Sequence, residues 1–220
     1  MNDIPIDVFI DLPPSPEPVQ AGRLWSHFRK GRESASFEYN REWLANPYRF
    51  ALEPLLPLAD GTFHTTPGQS VFGAIGDSTP DRWGRILMRR AELARARAAN
   101  ESPRTLSELD YLLRVNDEAR QGALRFSQDG GQSFCAPPGA TPIPPLVNLS
   151  RLLHAADHFC RDDENAEDLR LLLAPGSSLG GARPKASVKD KKGNLCIAKF
   201  PRHDDESVSY THLRAHETRG

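Results

Sequence analysis

Apolar residues come in strand-length stretches over the first forty positions and at helical spacing further on, so the hydrophobic pattern predicts a sheet followed by helices. The run 8–12 is apolar and is stopped by Pro13 and Pro14. Segments 23–28 and 35–39 follow, separated by a Lys30-Gly31-Arg32 turn. Together they predict a small antiparallel sheet. Alternation is clearest at 34–40, where Ala35, Phe37 and Tyr39 share one face and Ser36 and Glu38 the other, the pattern of a half-buried strand.

The period then changes. Asp77, Ser78 and Thr79 offer N-caps, Pro80 suits a first helical position, and Asp81 complements the positive end of a helix dipole. Trp83, Leu87, Ala91, Ala94 and Ala98 recur at steps of three and four and predict one buried stripe, closed near Asn100 in a left-handed conformation. The other face is basic, with Arg82, Arg85, Arg89, Arg90, Arg95 and Arg97 against Glu92 alone. A second helix is expected over 105–115, with Leu106, Leu109, Leu112 and Leu113 on one side, and a returning strand over 122–127. Five prolines between 136 and 145 predict an extended connector and a domain boundary. Two amphipathic helices follow at 150–160 and 165–173. The first points Leu152, Leu153, Ala156 and Phe159 inward, and acids gather at the start of the second. Strands at 186–189 and 195–200, joined by an Asp190-Lys191-Lys192-Gly193 turn, complete an α+β reading.

Composition narrows the class without naming a function. The 220 residues carry 28 basic and 29 acidic groups, net −1, so any polyanion site must be local and not the product of a global field. With 38% hydrophobic and 26% charged residues, 16 glycines and 19 prolines, the chain is in the globular range and not the low-complexity one. No apolar run approaches a membrane span and the acidic start lacks signal-peptide blocks, so a soluble, cytoplasmic protein is expected. Cys135, Cys160 and Cys196 are an odd, scattered set and are expected to be thiols.

The most informative segment is 175–185, Pro-Gly-Ser-Ser-Leu-Gly-Gly-Ala-Arg-Pro-Lys. Adjacent Gly180 and Gly181, preceded by hydroxyls and followed by cations, let backbone N–H groups approach a phosphate with no Cβ in the way. Ala182-Arg183 stands where a Walker A loop needs Lys-Ser or Lys-Thr, and the glycines precede a hairpin and not a helix, which excludes a Rossmann turn. A kinase-like flap with Lys199 on a following strand is one reading; a glycine-rich surface turn is the other.

Gly176 to Lys185 followed by Ile197-Ala198-Lys199-Phe200-Pro201 resembles the start of the kinase domain of the HipA family, the toxins of type II toxin–antitoxin systems. Phe37-Glu38-Tyr39 with Trp43-Leu44, Leu55-Leu56-Pro57-Leu58, Gly76-Asp77-Ser78-Thr79-Pro80-Asp81-Arg82-Trp83, and Asp110-Tyr111-Leu112-Leu113 leading to Gly122-Ala123-Leu124-Arg125-Phe126 are similar to that family's N-terminal subdomain. The resemblance covers about residues 5 to 206. It implies a helical and sheet-containing N-terminal subdomain at 1–135, a connector at 136–146, and the beginning of a kinase-like N-lobe at 147–206. It also implies ATP with Mg2+ as cofactor, Gly180, Gly181, Ala182, Arg183, Pro184 and Lys185 as the phosphate loop, Lys199 as the ATP-contacting lysine, and Ser178 as the autophosphorylated, inactivating serine. Its implied partners are a helix-turn-helix antitoxin of the HipB type and a protein of the translation machinery, such as glutamyl-tRNA synthetase, with DNA reached only through the antitoxin and no membrane contact.

The family's catalytic aspartate, neighbouring asparagine and metal-binding aspartate belong to a C-terminal lobe, so these 220 residues are expected to be an inactive, truncated serine/threonine kinase, with no catalytic residue or metal ligand among them. Residues 207–220 depart from the family and show no periodicity. The rival reading is a non-catalytic antitoxin-binding module. A third is direct DNA binding through the arginine face, which a solvated face or pairing with the acids at 162–168 would equally explain. His154 and His158, four apart near Cys160, have metal-ligand spacing or are surface histidines. Apolar residues at 195–200 are expected to lie uncovered without the rest of the lobe.

Overall fold

A computed structural model describes residues 5–134, 143–145, 148–176, 183–200 and 214–215. These form two compact units with interleaved chain segments. The first holds Met1–Thr79, Ser107–Leu113 and Gln121–Ala136, the second Pro80–Leu106, Arg114–Arg120 and Pro137–Gly220. The fold is α+β.

The first unit is built on a five-stranded antiparallel sheet in the order β4-β3-β2-β1-β5, with β1 Pro5–Ile10, β2 Val19–Arg29, β3 Arg32–Tyr39, β4 Thr62–His64 and β5 Leu124–Ser127. The expected β2–β3 hairpin forms, with Lys30 (φ 50°) and Gly31 (φ 75°) in the left-handed region its tight turn needs. β1 lies between β2 and β5, and its run does not alternate in burial: five of its six residues are buried. Gly22 of β2 sits where an added Cβ would strike the Glu38 carbonyl oxygen and the Phe37 ring, so this crossing of two backbones admits only glycine. Ile6, Leu24, Phe37, Phe72, Leu112 and Phe126 fill the core. Of the polar face expected on β3, Glu38 is exposed, while Ser36 is buried and bonded to the His27 ring at 2.8 Å.

Helix α1, Arg41–Ala45, is capped by the Asn40 side chain, which accepts from Glu42 N at 3.0 Å, and buries Trp43. After it the chain runs as a long irregular stretch whose backbone is tied down by one hydroxyl. Tyr39 Oη donates to the Leu56 carbonyl at 2.7 Å and accepts from Leu52 N at 2.9 Å. Burial is the largest cause raising the Tyr39 pKa above its ordinary value. Tyr39→Phe orphans two backbone groups, and we expect a loss of about 1–2 kcal/mol in urea denaturation, against near-zero change for an exposed Tyr48→Phe. The short helix α2, Gly73–Gly76, receives Glu53 Oε2 at Ala74 N, 2.7 Å.

In the second unit, helix α3 spans Arg82–Ala98. Two expectations for it are corrected. Pro80 precedes the helix and Asp81 takes the N-cap position with an extended backbone, because α2 and its C-cap Asp77 already occupy 73–77. The buried stripe is Trp83, Gly84, Leu87, Met88, Glu92 and Ala96, whereas Ala91 and Ala94 are half-buried and Ala98 is exposed. A buried carboxylate, invisible to an apolar pattern, rotates the face. The expected end holds: Asn100 is left-handed (φ 52°), Glu101 N bonds to Ala96 O and Asn100 N to Arg97 O, a Schellman closure.

Helix α4, Glu108–Arg114, starts three residues later than expected because Ser107 and Asp110 form a capping box, Ser107 N on Asp110 Oδ2 at 2.9 Å and Asp110 N on Ser107 Oγ at 3.1 Å. Helices α5, Leu149–Cys160, and α6, Ala166–Gly176, match the predicted pair. Leu153 is a correction: it is 42% exposed, and Ala155 takes its inward position because the face follows 152, 155, 156 and 159. Strands β6, Lys185–Lys189, and β7, Leu195–Lys199, pair antiparallel. The two residues of β8, Arg214–Ala215, pair with β7, within a segment whose sequence shows no strand periodicity. The expectation of uncovered apolar surface at 195–200 is also corrected, since Cys196, Ala198 and Phe200 are buried in a core with Trp83, Leu152 and Leu172.

Candidate functional site

The β6–β7 hairpin is held at its closed end by one aspartate. Asp190 Oδ1 accepts from Lys192 N at 2.7 Å and Asn194 N at 2.9 Å, Asp190 Oδ2 accepts from Asn194 Nδ2 at 3.0 Å, and Gly193 (φ 86°) completes the turn. The Asn194 bonds are the first cause holding the Asp190 carboxyl below its usual range. At the open end Phe200 N donates to Pro184 O at 2.9 Å.

This register puts Lys185 directly opposite Lys199. Cys196, Ala198 and Phe200 face inward, so alternation sends Ile197 and Lys199 to the other side. Lys199 is exposed and Lys185 half-buried. Burial first, then the Lys199 charge, lowers the Lys185 pKa, with Asp81 opposing. Like charges directly opposed across a ladder destabilise it, and an anion between them removes the repulsion. Arg183 is exposed two residues before Lys185 and Pro184 is buried, so three cations gather at the open end. Ser178, Gly180, Gly181 and Ala182 lie outside the described residues, as does Cys135.

Helix α3 positions this end of the hairpin. Trp83 Nε1 donates to the Lys185 carbonyl at 3.0 Å, and the Trp83 ring meets Phe159 edge-on at 5.0 Å. Arg90 lies 4.0 Å over the other aromatic partner, Phe159, donates to Phe159 O at 3.0 Å and Glu164 at 2.7 Å, and pairs with Asp162. Part of the arginine face is therefore paired with the acids after α5. Glu92, 2% exposed, binds Arg95 at 2.8 Å and Arg114 at 3.3 Å; the Arg95 hydrogen bond is the leading cause lowering its pKa to about 2. His158 Nδ1 bonds Asp168 Oδ2 at 3.0 Å, which raises the His158 pKa, and His154 is exposed. Among the described residues no three His, Cys, Asp or Glu side chains converge as a metal site.

The first unit carries a feature the hydrophobic pattern did not signal. Two adjoining cavities of about 460 and 370 Å3 share Ile10, Leu12 and Phe50 as walls. Tyr48 and Phe50 at their rims are 66% and 43% exposed. Their only sequence signal is two aromatics spaced by one residue in a turn-rich stretch.

The family model described as HipA N-terminal domain matches residues 17–127, half of the chain, from ahead of β2 to the last residue of β5. The chain belongs to the HipA family. It is thus a HipA-like member of a toxin–antitoxin family, and the strands and helices within the matched range are the body of its HipA N-terminal domain. No curated protein matches the chain. The hairpin cations of this HipA-like chain lie beyond the matched range, whereas both cavities have most of their walls within it. No described helix is long and apolar enough to cross a membrane.

Proposed function

We propose that this chain is the N-terminal part of a HipA-like serine/threonine kinase toxin and that the open end of the β6–β7 hairpin faces the phosphates of ATP. The observation that carries the reading is the opposed pair Lys185 and Lys199 with Arg183 beside it, a repulsive arrangement that a polyphosphate would neutralise. The sequence next to it, Gly180, Gly181 and Ala182, has the composition of a phosphate loop, and a phosphate on Ser178 would repel the nucleotide. Arg183, Lys185 and Lys199 would bind and orient phosphate oxygens here, and Mg2+ carried with ATP would supply charge neutralisation. Phosphoryl transfer further needs a positioned base and metal ligands from the catalytic lobe.

The test is equilibrium binding of a fluorescent ATP analogue to the full chain. Lys199→Ala is expected to weaken it by about tenfold or more, the worth of one charge-assisted contact. Equal binding by the variant, or none by the wild type, refutes the nucleotide reading. A non-catalytic module that binds a helix-turn-helix antitoxin is the second reading, favoured by the apolar cavities and exposed Tyr48 and Phe50 inside the matched domain. It predicts antitoxin affinity unchanged by Lys199→Ala and reduced by Tyr48→Ala with Phe50→Ala.

A further inference from the structure

Of the six arginines of α3, Arg85 donates to the Pro80 carbonyl at 2.8 Å and the other five divide into two sets. Arg90 and Arg95 are committed to carboxylates, to Asp162 and Glu164 in one case and Glu92 and Glu101 in the other. Arg82, Arg89 and Arg97 are exposed, and none makes an ion pair among the described residues. Steps of seven and eight residues put these three on one side of the helix, over about 22 Å of its length at the standard rise. Leu93, 41% exposed, is the one large apolar side chain between them.

This stripe is placed against the local electrostatics of its own helix. Arg82 opens α3, at the positive end of the dipole, where the N-cap Asp81 makes no side-chain cap hydrogen bond and the first turn holds no further acid. Arg82, Arg85 and Arg89 are like charges at spacings of three and four, which weakens a helix. A face kept only for solubility intersperses exposed acids at those spacings; the sole acid within α3, Glu92, is buried and taken up by Arg95 and Arg114. An external row of negative charge relieves both penalties.

We propose that Arg82, Arg89 and Arg97 bind the phosphodiester backbone of a nucleic-acid duplex. Three features favour this partner. The cations are all arginine, whose planar donors match phosphate oxygens in pairs. The stripe is linear, like a row of phosphates. Its single leucine gives too little apolar area to insert into a lipid surface. A contact to phosphate oxygens positions the chain without reading bases, so the proposed binding is independent of sequence. With a chain net charge of −1, the stripe and not the overall field must supply the affinity.

The experiment is anisotropy of a labelled mixed-sequence DNA duplex with the full chain, between about 50 and about 200 mM salt. Three neutralised phosphates predict a slope of log affinity on log salt of about −2.7, a loss of roughly 40-fold across that range. Arg82→Ala with Arg89→Ala and Arg97→Ala is expected to cost at least about tenfold at the low-salt end and to flatten the slope, with far-UV ellipticity unchanged because alanine is the best helix former. Unchanged duplex affinity in the triple variant overturns the proposal. So does wild-type binding only to decaglutamate, which would make the stripe a site for an acidic protein, or only to anionic vesicles, which would make it a lipid surface.

Discussion

Trp83→Ala is expected to lower the stability of the second unit by about 3–5 kcal/mol, the largest effect of any single change considered. Trp83 is 3% exposed at the start of α3 and meets Phe159 of α5 edge-on. Its removal leaves a hole against Phe159, the ring over which Arg90 lies, and deletes the donor to the Lys185 carbonyl. Trp83→Phe partly separates these effects, since it keeps an aromatic ring beside Phe159 and loses the hydrogen bond with part of the buried volume, about 1–3 kcal/mol. Urea denaturation followed by far-UV ellipticity measures both. The functional consequence is expected on the hairpin: with its carbonyl released, Lys185 is less well fixed opposite Lys199, and fluorescent ATP analogue affinity falls in Trp83→Phe even where the unit remains folded. Retained nucleotide affinity in a folded Trp83→Phe would show that the hairpin holds its cations without α3.

How much of this architecture was legible in the sequence depends on which interactions made it. The β2–β3 and β6–β7 hairpins are local: Lys30-Gly31 and Asp190 to Gly193 specify their turns, and alternation specifies which side chains go inward. The Schellman closure at Asn100 was equally local. The misplaced stripe of α3 was not, because the buried Glu92 is paired not only with Arg95 but with Arg114, twenty-two positions away, and a scale that treats carboxylates as exterior must push the face toward Ala91 and Ala94. Leu153 and Ala155 exchanged roles for a milder reason: the observed face follows 152, 155, 156 and 159, which leaves Leu153 outside although its hydrophobicity assigns it inward. At the site, Arg183, Lys185 and Lys199 were legible as residues. Their opposition across one ladder required the register, and the anchoring of Lys185 by Trp83 spans 102 positions of sequence. The apolar cavities of the first unit come from Ile10, Leu12 and Phe50 meeting across tertiary structure, which no window of sequence contains.

Glu92 makes the second unit acid-sensitive in a defined window. Its carboxyl titrates near 4.5 when unfolded and is held at about 2 in the folded chain, chiefly by the Arg95 hydrogen bond, then by Arg114 against the opposing cost of burial. A carboxyl with a depressed folded pKa contributes its full stabilisation above the unfolded value and loses it as pH falls through the folded one. The window is therefore from about 4.5 down to about 2, and the linked free energy is about 3 kcal/mol. His158, whose pKa is raised by Asp168, has the opposite sign: its contribution is present below its unfolded pKa and fades as pH rises through the folded one, so it cannot account for acid loss. Glu92→Gln keeps shape and one hydrogen-bond acceptor and removes the charge. At pH 7 it should lower the urea-derived stability by up to about 3 kcal/mol, moderated because Arg95 and Arg104 are about half exposed and can turn to water. Between pH 5 and pH 2 the wild-type curve should fall toward the variant's, whose remaining slope comes from other carboxylates of the unit such as Asp190. Parallel curves that never converge would mean that Glu92 stabilises α3 by packing and not by its charge, and that the arginines on the outer face of the helix are held in place without it.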